Sequence, residues 1–240
     1  MTSQSPPRWA VMSAILSPLV FTVGWLVAGR LQPPSYNPIR QTVSVMAGQP
    51  GTDRWVMTAA MLGVGVCYLA TAAGLRTVGR PARFMLIVAG ACSFGIAASP
   101  EPATGPTAVH LAFTGVGATM IAFWPAVAGR AGKGSHFLLT AQGYAIVTVG
   151  FLAMLAWTVV ETRGGPDLGL AERLTASVET TWPFVVALLL RWNSQPGSGL
   201  AEPARAPLVS DSASELTAPP GFGGPPPDGG SSSGWPLARS

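Results

Sequence analysis

Lysine is almost missing from this 240-residue chain, in which Lys133 is the only one. Histidine and cysteine occur twice each, and charged residues make up 10% of the sequence, against about 25% in ordinary soluble domains. Each shortage removes a class of function. Cys67 and Cys92 form no CxxC pair, so neither a thiolate zinc site nor a redox motif is available. Both fall inside apolar runs at different depths, which reads as two small packing residues and not a disulfide. No phosphate loop and no nucleophile elbow occurs. The net charge of +4 is spread over short segments, with no phosphate-tracking patch, and nucleic acid is not an expected partner. Thirteen of the fourteen basic residues are arginine, a codon bias that points to a GC-rich bacterial genome.

What the chain has is apolar length. Hydrophobic residues reach 48% even though the last fifty positions are polar. Six runs stand out, at residues 9–28, 55–75, 84–99, 107–128, 137–160 and 174–190. A spanning helix needs about 20 mostly apolar residues to cross roughly 30 Å of hydrocarbon. The third and sixth runs are short and are expected to extend into their flanks. The sequence therefore predicts an all-α membrane protein, a six-transmembrane-helix bundle over residues 1–193. The first run is too long for a secretory signal and has no clear cleavage site after it, so it is read as an uncleaved span. Residues 194–240 change to Pro, Gly, Ser and Ala. That composition cannot offset its ordering entropy and predicts a disordered cytoplasmic tail, with its PPP run a polyproline II ligand at most.

Basic residues orient the bundle. With a cytoplasmic N-terminus the inside carries Arg8, Arg76, Arg80, Arg83, Arg130, Lys133, Arg191 and Arg205, and the outside carries Arg30, Arg40, Arg54, Arg163 and Arg173. Eight against five favours both termini inside a bacterial plasma membrane. Trp9, Trp124 and Trp192 then form an inner belt and Trp25, Trp55 and Trp157 an outer one, while Trp182 lies within the sixth run beside Pro183, where a kink is expected. Ala59, Gly63, Cys67 and Thr71 recur every four residues on the second run, as do Ala91, Gly95 and Ser99 on the third. Small residues mark close helix contacts in lipid, so these stripes predict the seam between those two helices.

The first outer loop is the most specific local sequence. Asn37-Pro38 is a strong helix start, and Ile39, Val43 and Met46 fall at i, i+4 and i+7 before Gly48. This predicts a short amphipathic helix over residues 37–47, lying on the outer surface or capping the bundle.

The run Tyr36-Asn37-Pro38-Ile39-Arg40-Gln41-Thr42-Val43-Ser44, placed after a span ending Gly24-Trp25-Leu26-Val27-Ala28-Gly29, resembles the bacterial and archaeal membrane family of domain of unknown function 998. Two further segments fit: Pro100-Glu101-Pro102 before His110, and Gly169-Leu170-Ala171-Glu172-Arg173 at the start of the sixth run. Glu101 stands where the family more often has Asp. The resemblance covers roughly residues 10–191 and implies six helices in a membrane, with no activity attached. A fainter likeness to the six-span Frag1/DRAM group is an analogy of fold alone.

Ionisable groups at membrane depth are costly and invite a functional question. His110 lies about one turn into the fourth run, and Glu179 roughly 9 Å below the outer surface in the sixth. Glu172 and Glu179, seven apart, share a helical face. These residues, with Tyr36, Arg40, Ser44 and Glu101, are expected to converge on one outward-opening polar pocket, His110 and Arg40 being the nearest partners for Glu179. His136 falls in an inner loop, so neither a multi-histidine metal site nor a bis-histidine haem is expected, and no cofactor is implied. Three functions stay open: a non-enzymatic protein that binds or transports a lipid or small amphiphile, an intramembrane lipid-modifying enzyme with His110 or Glu179 as base, and a structural or assembly subunit. In the plainest case His110 and Glu179 hydrogen-bond each other, or a Ser or Thr, and only fix helix register.

Overall fold

The computed structural model describes residues 5–129 and 136–194. All regular structure among the described residues is helical: α1 (Arg8–Leu31), α2 (Val43–Ala47), α3 (Trp55–Gly74), α4 (Arg80–Ala98), α5 (Ala108–Val127), α6 (Ala141–Glu161) and α7 (Leu168–Asn193), with 3-10 turns at Arg76–Val78 and Phe137–Leu139. The expected tail lies outside the described residues.

Local chemistry sets the boundaries. Thr107 caps α5 by accepting from the His110 N–H at 3.2 Å, and Thr140 caps α6 from Gly143 at 3.2 Å. The fifth apolar run was expected to be helical from residue 137, but Phe137–Leu139 form a separate 3-10 turn and the cap at Thr140 delays α6 to Ala141. Gly79, at φ 88°, makes the turn into α4 that an L side chain resists, with Pro81 in the first turn behind it. The third and sixth runs do extend into their flanks, α4 beginning at Arg80 and α7 covering Leu168–Asn193.

Five helices, α1, α3, α4, α5 and α6, are long and apolar enough to cross a membrane. The 26 residues of α7 span about 39 Å, but Glu172, Arg173 and Glu179 interrupt the apolar composition of its first half. Met12, Leu19, Val23, Val66, Phe84, Ile146 and Val149 are among the large apolar side chains left exposed on these helices. A surface this apolar belongs against lipid, and the chain is a multi-pass membrane protein.

The long helices pack in a ring, α1 against α3, then α4, α5, α6 and α7, with α7 returning to α1. Glycine makes the close approaches. A Cβ at Gly24 would collide with Ala60, and Gly65 and Gly90 each lie against the other's backbone carbonyl. The α3–α4 seam is therefore Gly65–Gly90 and not the two predicted stripes. Gly63 faces Val20, and Thr71 Oγ1 lies 2.9 Å from Ser13 Oγ, both on α1. Gly95 lies against Phe113 and Cys92 against Gly117, both on α5. Each small stripe serves the neighbour on the other side of its helix, because a four-residue repeat marks a face without saying which partner meets it. Both cysteines are free and buried.

One of the tryptophan expectations is corrected: Trp124 is fully buried and not in an interfacial belt. Trp25 is half-buried beneath a guanidinium. Trp9, Trp55 and Trp192 are exposed near helix ends, and Trp182 packs edge-on against Phe151 at 6.1 Å. Pro183 does not break α7, which runs through it.

Candidate functional site

The loop from Gln32 to Arg54 folds back over one end of the ring. Gln32 clamps its two ends, donating to Ala28 and Thr52 carbonyls at 2.9 and 3.0 Å and accepting from Thr52 N–H at 3.1 Å. Asn37 does not start a helix. Its Oδ1 accepts from the Ile39 and Arg40 N–H groups at 2.9 and 3.3 Å, making a local turn, and Thr42 caps the true helix from Val45 at 3.3 Å. The predicted amphipathic helix over 37–47 is thus a turn followed by the single-turn α2. Of the two expected placements, surface or cap, burial fits the cap: Val43, Ser44, Met46 and Ala47 are all buried in the bundle's end.

The reason is Arg173. Its Nη1 donates to the carbonyls of Pro38 (2.6 Å), Gln41 (2.7 Å) and Gly169 (2.8 Å), and its Nη2 donates to the Tyr36 hydroxyl. The guanidinium also stacks over the rings of Trp25 and Tyr36, 5.7 and 5.9 Å from their centroids. Carbonyls that a continuous helix would use internally are turned toward a buried cation instead. Gly169 leaves no room for a Cβ beside the Gln41 and Pro38 carbonyls, and the Leu170 N–H closes the joint on Ile39 O at 2.9 Å. Burial raises the Tyr36 phenol pKa, with Arg173 opposing the shift.

Two further side chains hold α2. Glu172 Oε2 accepts from the Val43 N–H at 2.7 Å, tying the helix to α7. His110 Nδ1 lies 2.8 Å from the Ser99 carbonyl and Nε2 lies 3.0 Å from Ser44 Oγ. A carbonyl only accepts, so Nδ1 carries a proton, and in the neutral ring Nε2 accepts from the Ser44 hydroxyl. Glu101 contributes its backbone carbonyl to the Gln49 N–H at 2.7 Å. Its carboxyl is half-buried and pushed above the ordinary range by desolvation, with His110 pulling the other way.

Beneath α2, inside the ring, lies a cavity of about 290 Å³ with mostly apolar walls. Val43 and Ser44 form its roof, Tyr68, Ser93 and Ile121 its inner wall, and Glu172, Thr175 and Glu179 line it from α7. On the α5–α6 side it is bounded by Leu111 and Val159, both about half exposed, which makes that side its mouth. Glu179 is buried to 4% exposure and its Oε1 has no hydrogen-bond partner. The Tyr68 side chain lines the same cavity.

The sequence-predicted residues divide. Ser44, Glu172 and Glu179 line the cavity, His110 reaches it through Ser44, and Tyr36 and Glu101 buttress the loop around α2. Arg40 is exposed and is no partner of Glu179. Arg173 was missed as a site residue because it was read as an orienting loop charge. Its signals were a glycine four residues earlier on the same face and a position beside Glu172 in the first turns of the helix. Among the described residues, no group of three or more His, Cys, Asp or Glu side chains is placed to hold a metal ion.

A family model described as "Protein of unknown function (DUF998)" matches residues 15–189. The chain belongs to this family. The match runs from α1 into α7 and includes every residue of the cavity. No curated protein and no solved structure matches the chain.

Proposed function

We propose that this family member is a non-enzymatic membrane protein that holds a single-chain amphiphile, or one chain of a lipid, in the cavity beneath α2. One observation carries the reading: an apolar chamber of about 290 Å³, inside the ring, has a buried carboxyl group in its wall and an exposed apolar mouth. That volume is at the low end of ligand pockets, which run from about 300 to 1,000 Å³. It suits one chain better than a complete two-chain lipid. In this reading α7 is the sixth span, its acidic groups facing the chamber and its other face lipid. Both termini are cytoplasmic in the plasma membrane, so α2 closes the outer end.

Native mass spectrometry of protein extracted in a mild detergent tests the reading. One retained amphiphile per chain is expected, lost on Gly115→Trp, since Gly115 lines the cavity and a Cβ there meets open space. No retained amphiphile, and no saturable uptake of added alkyl chains, would overturn it.

A second reading has its own observation. Ser44 Oγ donates to His110 Nε2 at the cavity roof while a backbone carbonyl fixes the other ring nitrogen, which is the relationship of nucleophile, base and orienting group. An intramembrane enzyme acting on lipid esters would use Ser44 in this way. A fluorophosphonate probe that labels Ser44, and fails to do so in His110→Ala, favours that reading over simple binding.

A further inference from the structure

The cavity wall is one-sided in charge. Glu172 and Glu179 line it, and among the described residues no arginine, lysine or histidine does. Arg173, next to Glu172 on α7, is engaged elsewhere: its two terminal nitrogens donate to three carbonyls and the Tyr36 hydroxyl behind α2, and only its Nε is left without a partner. Glu172 is engaged with the Val43 N–H, whereas Glu179 Oε1 is buried and receives nothing. An oxygen acceptor left unpaired in an apolar chamber costs free energy that a bound donor recovers. The nearby threonine hydroxyls do not fill that role, since Thr180 bonds back to the Ala176 carbonyl at 2.8 Å and Thr175 pairs with Thr158 at 3.0 Å.

We infer that Glu179 is the head-group acceptor for a cationic amphiphile, a protonated amine on a single alkyl chain, whose ammonium lies against Glu179 while its chain fills the apolar chamber. The inference rests on the amphiphile-binding reading and adds the chemistry of the head. An ammonium supplies both missing elements at once, an N–H donor and a positive charge opposite the carboxyls. A fatty acid, once ionised, brings a negative charge and further acceptors beside two carboxyl groups and no donor, so the site discriminates against it. The exposed apolar mouth at Leu111 and Val159 admits the chain, and the chain's length, not a large head, takes up the volume.

Equilibrium binding of radiolabelled dodecylamine, dodecanoate and dodecanol to the full-length protein in nanodiscs, with empty nanodiscs subtracted, tests this. Dodecylamine should bind saturably at one per chain and more tightly than dodecanoate. Glu179→Gln, which keeps the shape and removes the charge, should weaken dodecylamine by about tenfold or more. The same change should leave dodecanol nearly unaffected, and that neutral ligand doubles as the check that the variant is folded. Glu179→Asp should retain part of the preference. Equal binding of amine and carboxylate, or indifference of the amine to Glu179→Gln, would overturn the head-group assignment while leaving an amphiphile site. Saturable binding of none of the three chains would overturn both.

Discussion

Arg173 donates to the hydroxyl of Tyr36 from 137 residues away in sequence, and this contact joins the start of the last helix to the loop that follows the first. The guanidinium is buried to 6% exposure and organises three carbonyls. Arg173→Ala should cost about 3–5 kcal/mol by exposing those acceptors to an apolar void. Arg173→Lys should recover only part, because an ammonium lacks the planar fork and the stacking. Tyr36→Phe removes one hydrogen bond, worth about 1 kcal/mol. Thermal denaturation in detergent should rank them in that order, and a Lys variant equal to the parent would show that the fork is not needed.

Glycine positions should split sharply. Gly24→Leu places a side chain where the Ala60 methyl already sits, and overpacking of this kind costs about 1–3 kcal/mol. Gly115→Ala projects into open space and should be close to neutral. Melting temperatures of the two variants, measured side by side, check the α1–α3 packing directly.

Glu101 gives a pH dependence whose sign can be stated. Burial raises its folded pKa above the unfolded value of 4.5, so the folded state holds the proton more tightly. Its favourable contribution is present below the unfolded pKa and is lost as pH rises through the folded one. His110 acts against the shift and limits its size. Glu101→Gln, which mimics the protonated form, should match the parent at pH 4 and exceed it in melting temperature at pH 8. A variant less stable than the parent at pH 8 would mean that the carboxylate has a stabilising partner.

Orientation is open to single-cysteine labelling after Cys67 and Cys92 are replaced. Ala103→Cys should react with an impermeant maleimide in intact cells and Gly132→Cys should not. The opposite pattern would invert the bundle and put α2 at the cytoplasmic face.

Much of the fold was legible because lipid leaves a chain few choices. Backbone groups must be satisfied within each segment, so length and hydropathy alone located all the long helices to within a few residues, apart from the flanks that extend α4 and α7. Pairing between segments was not legible in the same way. The stripe at Gly63 and Thr71 was visible, but whether it met α1 or α4 depends on ring order, which periodicity does not encode. The 37–47 segment failed for a related reason: Asn-Pro and an i, i+4, i+7 pattern describe a helix in isolation, whereas a buried Arg173 turns the Pro38 and Gln41 carbonyls outward from that path. His110 and Glu179 could be singled out because ionisable groups at membrane depth are conspicuous, and Glu172 because it shares a helical face with Glu179. Trp124 could not, since an indole near a helix end reads the same whether it meets lipid or, as here, is buried within its own chain.

Leu111 and Val159 flank the chamber on a side wall, while the end above it is stitched shut by Glu172, His110 and Arg173. Under the proposed membrane placement, an occupant arrives sideways from the hydrocarbon and never passes through water. Occupancy then follows mole fraction in the leaflet, not aqueous molarity. A sparingly soluble compound held in the lipid would fill the site according to its share of the leaflet, and dilution of the surrounding buffer would not empty it. Affinities for this protein are therefore properly expressed per lipid, and two preparations at the same bulk concentration but different lipid-to-protein ratios should give different apparent constants.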